Sequence, residues 1–61
     1  MIIEENIQMG KKYRFVCSHI DVVVTITEPP IKNRLGFLEY GAIDENGTKR
    51  ICFNDELYKL D

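Results

Sequence analysis

The sequence is poor in the residues that most often carry chemistry: it has no tryptophan, one histidine and two cysteines among 61 residues. It also lacks an apolar run of about 18 residues, so no stretch is long enough to cross a bilayer as a helix. The N-terminal residues are acidic and have no apolar run, which is unlike a signal peptide, and we expect a cytoplasmic protein. The net charge of −2 gives no general attraction to nucleic acids or to anionic membranes.

The two cysteines and the single histidine do not form a recognisable reactive group. Cys17 and Cys52 show no Cys-x-x-Cys spacing and no cluster of histidines, so we predict no metal site, no cofactor and two reduced thiols. His19 follows Cys17 by two positions in a predicted turn, whereas a Cys–His nucleophile pair is normally brought together by the fold. We therefore expect no Cys–His nucleophile, no small-molecule substrate and no enzymatic activity.

The clearest structural signal is Asn46-Gly47 between two runs typical of strands, because both residues tolerate the positive φ of a tight hairpin. With these two as the turn, Asp44 faces Lys49 and Tyr40 faces Phe53. We reject a three-residue loop, because a slip of one residue reverses every side chain of a strand. The predicted core face holds Leu38, Tyr40, Ala42, Ile51 and Phe53, and the predicted outer face holds Phe37, Glu39, Gly41, Ile43, Arg50 and Cys52.

Alternating and β-branched segments predict further strands before and after this hairpin. Pro29-Pro30 ends one of them, because proline donates no hydrogen bond to a ladder, and a basic loop follows. Asn54 and the two acids after it favour a single turn of 3-10 helix. The predicted strands cover Lys11–Cys17, Ile20–Glu28, Phe37–Glu45, Thr48–Phe53 and Tyr58–Leu60.

The C-terminal third resembles the back half of SH3-like barrels. Tyr40–Gly47 stands where those proteins have a distal hairpin, and Glu56-Leu57 and Leu60 stand where they have a 3-10 turn ending in Glu-Leu and a last strand. The segment is similar to small bacterial and prophage proteins and to KOW- and Tudor-type modules. The resemblance implies one all-β SH3-like barrel of about five antiparallel strands over residues 1–61, with residues 1–10 docked on it. Without tryptophan, we do not expect binding of proline-rich peptides.

A protein interface is the function that we prefer from the sequence. A barrel this small has one interior, so apolar groups on its outer side are either exposed or covered. They would be buried by a partner protein, by a second copy of the chain, or by the apolar side chains of residues 1–10. We expect a non-catalytic binding or regulatory module, and the resemblance alone suggests a prophage-type role. The candidate interface residues are Phe37, Ile43, Val16 and Val23.

The alternative function is a nucleic-acid-binding domain of the KOW or Tudor type. Phosphate contacts need a local basic patch more than a positive total charge, and basic residues cluster in three segments. The opposing interpretation is that lysines and arginines coat the outside of the barrel. The candidate residues are Lys11, Lys12, Arg14, Lys32, Arg34 and Arg50, accompanied by Lys49 and, as stacking surfaces if exposed, Tyr13 and Tyr58.

Overall fold

A computed structural model describes residues 1–60. Six antiparallel strands form one sheet that curls into a half-barrel, and within the described residues there is no α-helix. The predicted small all-β barrel with a 3-10 turn before its last strand is therefore confirmed. The strands are β1 (Lys12–Cys17), β2 (Ile20–Ile26), β3 (Ile31–Lys32), β4 (Leu38–Asp44), β5 (Lys49–Phe53) and β6 (Leu57–Tyr58), and the 3-10 helix is Asn54–Glu56.

The sheet has the strand order β3-β4-β2-β1-β6, and β5 pairs with the other edge of β4. Residues 2–4 extend the sheet beyond β6: Ile3 bridges Tyr58, and the Glu4 amide donates to the Leu57 carbonyl oxygen at 2.9 Å. The N-terminal segment thus docks at one edge of the sheet, far in strand order from β4 and β5. Within the described chain, residues 2–4 form one edge of the sheet, and β3 and β5, each paired with β4 alone, form others.

The core lies on the concave side of the sheet, where every second residue of each strand points inward. Tyr13 and Phe15 of β1 share this side with Val24 and Ile26 of β2, as the alternation in the sequence predicts. Ile7 of the N-terminal segment packs against the same cluster. The remaining buried apolar residues are Tyr40, Ala42, Cys52 and Leu57.

The predicted register of the β4–β5 hairpin is wrong by one residue. Tyr40 lies opposite Cys52, and Phe53 lies opposite Glu39. The side chains of β5 are therefore reversed: Cys52 is fully buried, whereas Ile51 is 64% exposed and Phe53 is 37% exposed. The part of the prediction that concerns β4 holds, because Tyr40 and Ala42 face the core.

Asp44 is the reason that the loop has three residues instead of two. Its carbonyl oxygen accepts the Gly47 amide at 3.0 Å, and Gly47 has a φ of 81°. A tight turn followed by a left-handed residue is the usual three-residue hairpin loop. The Asp44 carboxylate also accepts the amides of Asn46 and Thr48, at 2.9 and 3.0 Å, and Arg50 Nε at 3.0 Å. Asp44 therefore pairs with Arg50 on the inner side, and not with Lys49 as predicted.

Candidate protein-binding surface

The four interface residues predicted from the sequence all lie on the outer face of the sheet. Val23 lies opposite Arg14 and Val16 opposite Asp21 in the β1–β2 pairing, so the four side chains form a square. Val16, Val23 and Ile43 are half-buried, and Phe37 is exposed. The structure therefore spreads these residues along the outer face from β1 to the start of β4.

An ion pair occupies the β1–β2 end of this face. Arg14 Nε donates to Asp21 Oδ1 at 2.7 Å, and Arg14 Nη2 contacts Asp21 Oδ2. The pair runs along one diagonal of the square whose other diagonal joins Val16 and Val23. The Arg14 hydrogen bond lowers the pKa of Asp21. The two valines are therefore flanked by a formal charge pair, which makes this end a poor apolar contact.

The opposite end of the outer face carries an exposed apolar cluster. The rings of Phe37 and Phe53 have centroids 6.3 Å apart with planes inclined by 36°. Ile31 and Phe53 lie on either side of Glu39 in the same row of the sheet, and directly opposed residues share a face. Ile31 is 68% exposed and Phe37 is 44% exposed. We call Ile31, Phe37, Ile51 and Phe53 the β3–β5 patch.

Hydrogen bonds of Asn33 hold the loop that presents Phe37. The Asn33 Oδ1 atom accepts the amides of Leu35 and Phe37, at 2.9 and 3.0 Å, and the Asn33 amide donates to the Phe37 carbonyl oxygen at 2.8 Å. Asn33 Nδ2 in turn donates to Glu39 Oε2 at 3.1 Å, next to Phe53 in the sheet. The Phe37 backbone is therefore fixed before any partner arrives, which reduces the entropy lost on binding.

The sequence identifies only Phe37 among the four patch residues. The predicted register, which is wrong, places Ile51 and Phe53 in the core, and Ile31 falls in the predicted basic loop. A signal for the first two existed: Asp44 precedes Gly47 by three positions, which suits a turn closed by a left-handed glycine. No comparable signal marks Ile31, because a strand of two residues has no periodicity.

The basic candidates are not brought together into one surface. Arg14 pairs with Asp21, and Arg50 pairs with the buried Asp44. Lys12 and Lys49 stand at opposite ends of a row four strands wide, about 14 Å apart at the usual strand spacing. Lys11, Lys32 and Arg34 are exposed, whereas Tyr13 is buried and offers no stacking surface, and Tyr58 is half-buried.

The thiols are held in their protonated form. A hydrogen bond to Glu56 raises the pKa of Cys17, and burial raises the pKa of Cys52 to about 12. A protonated thiol is a poor nucleophile and a poor metal ligand. His19 is exposed in the turn between β1 and β2.

Comparison of the chain with protein-family models, with curated proteins and with solved structures gives no significant match. In the part of the chain that the structure describes, no three His, Cys, Asp or Glu side chains are grouped to hold a metal ion, and no pocket is found. No helix within residues 1–60 has the length and apolar character needed to cross a membrane. The β3–β5 patch is an exposed apolar feature of the described surface.

Proposed function

We propose that the chain is a non-catalytic binding module that acts through a protein–protein contact at the β3–β5 patch. The observation that supports this most is the exposed pair of Phe37 and Phe53, flanked by Ile31 and Ile51 on one side of the sheet. Aromatic anchors with aliphatic neighbours are typical of the centres of protein interfaces. A fixed Phe37 loop adds to the case, since a rigid anchor loses little entropy on binding.

The SH3-like assignment, the cytoplasmic location and the prophage-type regulatory role belong to the same proposal. The order of the strands and the 3-10 helix before β6 are compatible with an SH3-like barrel. Such barrels commonly serve as small adaptors, but fold alone does not fix a partner. The partner is proposed on the chemistry of the patch, as a protein surface with apolar groups.

The test is capture of a partner from the native cell with three forms of the chain. We expect Phe37→Asp and Phe53→Asp to lose the partner, because a carboxylate at the centre of an apolar contact is desolvated without a counter-charge. Ile2→Asp is the matched control, since Ile2 is 66% exposed at the opposite edge of the sheet. Calorimetry with the captured protein should show at least a tenfold loss for the first two. Equal binding by all forms would contradict the proposal.

Nucleic-acid binding ranks second, because two of its six candidate residues are engaged in ion pairs within the sheet. The exposed lysines and Arg34 remain as possible phosphate contacts, and such contacts would weaken steeply with salt. Gel-shift titrations at low salt with single- and double-stranded DNA and RNA separate the two functions. A salt-sensitive shift that survives Phe37→Asp would favour the nucleic acid over the protein partner.

A further inference from the structure

The outer edge of β5 carries backbone groups that β4 does not use. The Asp44 amide donates to the Thr48 carbonyl oxygen, and hydrogen-bonded pairs alternate from there along an antiparallel ladder. Arg50 and Cys52 therefore point their amides and carbonyls at β4, whereas Lys49, Ile51 and Phe53 point theirs away. The Phe53 amide donates to Glu56 Oε1 at 2.9 Å. In the described chain, β5 has no strand on this side.

This edge is complementary to itself. If two copies of β5 run antiparallel about a twofold axis at Ile51, each Ile51 faces Ile51 of the other copy, and each Lys49 faces Phe53 of the other copy. The amide and carbonyl of Ile51 then meet those of Ile51 in the other copy, and the Phe53 carbonyl oxygen accepts the Lys49 amide. The Lys49 carbonyl oxygen accepts the Phe53 amide of the other copy in place of Glu56, whose carboxylate has to swing out of the ladder. Lys49 also comes close to the Glu56 carboxylate of the other copy, so the charges match.

The free edge of β5 is the surface that a second copy would cover. The β3–β5 patch beside it would stay on the outer face.

We propose that β5 pairs with β5 of a second copy of this chain, extending the sheet across a twofold axis at Ile51. The proposal rests on the proposed function and names a second copy as one partner of the same site. A strand of another protein would need apolar side chains opposite Ile51 and an acidic side chain near Lys49. A second copy already has Ile51 and Glu56 at these positions of the register. The two β3–β5 patches would then adjoin on one continuous outer face.

Sedimentation equilibrium over about three decades of concentration tests the association, and we expect the mass to double from 7.1 kDa. Ile51→Pro should raise the dimer dissociation constant at least tenfold. It removes an amide that points away from β4, and proline is tolerated on an edge strand for that reason. Should Ile51→Pro fail to fold, Ile51→Lys places two ammonium groups against each other on the axis and should have the same effect. Ile2→Asp, at the far edge, should leave the mass unchanged.

Oxidative crosslinking in a Cys17→Ser background tests the register. The remaining native thiol, Cys52, is buried and stays protonated, so it should not crosslink. We expect Ile51→Cys to form a disulfide between copies, because residues on the axis face each other. Lys49→Cys, which faces Phe53, should not. A monomer at every concentration, a dimer that tolerates both Ile51 variants, or equal crosslinking by Lys49→Cys would overturn the proposal. If the chain is a monomer but captures a protein that the Phe37→Asp variant does not capture, the dimer proposal fails and the proposed function still holds.

Discussion

The two hairpins of the sheet are built from similar parts and differ in one residue of loop length. β1 and β2 are joined by the pair Ser18-His19, so Cys17 lies opposite Ile20. In the second hairpin, Asp44 and Thr48 close the loop Glu45–Gly47, so Ile43 lies opposite Lys49. A loop that is one residue longer reverses the two faces of the second strand. For β5 this decides whether Cys52 or the apolar pair Ile51 and Phe53 faces the core.

The ion pairs of the two hairpins differ in the same way. The Asp21 side chain is 49% exposed and binds only Arg14 among the contacts that we describe, whereas the Asp44 side chain is 1% exposed and binds both its own loop and Arg50. An exposed pair adds little to stability, because water solvates its charges nearly as well. A buried carboxylate that organises a loop is a structural requirement.

Reversing the polarity of β5 should have the largest effect. Cys52→Asp should unfold the chain, because a buried carboxylate without a partner costs more than the roughly 3–5 kcal/mol of net stability expected for a domain of this size. At concentrations where the chain is a monomer, Ile51→Asp should leave it folded and change stability by less than about 1 kcal/mol, since the side chain does not enter the core. Circular dichroism and urea denaturation check both. If Ile51→Asp were the variant that unfolds, the register described above would be wrong.

Removing the carboxylate of each hairpin should give the next largest contrast. Asp44→Ala should lower the melting temperature by at least about 10 °C, because two loop amides lose their acceptor and Arg50 loses its counter-charge. Asp21→Ala should lower it by less than about 5 °C. Differential scanning calorimetry measures both. Comparable losses would mean that the loop does not depend on its buried acid.

Acid should reveal the same contrast. Amide donation from Thr48 and the hydrogen bond from Arg50 hold the pKa of Asp44 below its ordinary value. A carboxyl group with a depressed folded pKa stabilises the fold above its unfolded pKa of about 3.9, and this stability is lost as the pH falls below that. The urea midpoint of the wild type should therefore be constant above pH 5 and fall towards pH 3. This fall should be shallower in Asp44→Ala than in the wild type. Asp21→Ala should also make the fall shallower, but by a smaller amount.

Glycine exchanges in the loops should have the smallest effects and opposite signs. Gly47 has a φ of 81° and Ser18 a φ of 49°, so both occupy the left-handed region. Gly47→Ala should cost about 1–2 kcal/mol through backbone strain alone, because a Cβ at Gly47 meets nothing within 4 Å. Ser18→Gly should stabilise by about 0.5–1 kcal/mol by removing such strain. Urea denaturation at pH 7 measures both, and a destabilising Ser18→Gly would show that the serine is not strained.

The sequence predicts the first hairpin better than the second for a physical reason. Tyr13 and Phe15 alternate with Lys12 and Arg14, and Val24 and Ile26 lie on either side of Thr25, so periodicity sorts the faces. The 3-10 turn at Asn54 and the break at Pro29-Pro30 likewise depend on local chemistry. These features are visible in short windows of the chain.

The register of β4 and β5 depends on contacts that no short window contains. Asn46-Gly47 favours two turn residues, yet the buried Asp44 carboxylate accepts hydrogen bonds from Asn46 within a longer loop and from Thr48 and Arg50 after it. Both faces of β5 carry apolar residues, so the hydrophobic pattern does not distinguish the two registers that differ by one residue. The β3–β5 patch follows from that register, and Phe37 was its one member identified from the sequence.

Gly41 has a consequence for which substitutions the chain can accept. The amides of Thr27 and Glu28 both donate to its carbonyl oxygen, so the chain leaving β2 turns a corner there. A Cβ at Gly41 would lie 2.7 Å from Glu28 Oε2 and 2.9 Å from Glu28 Cβ, which is too close for either to remain in place. Positions 28 and 41 should therefore covary. A related sequence with alanine at position 41 would need a smaller residue at position 28. Otherwise the backbone at this corner would have to shift, and the Phe37 loop that follows β3 would shift with it.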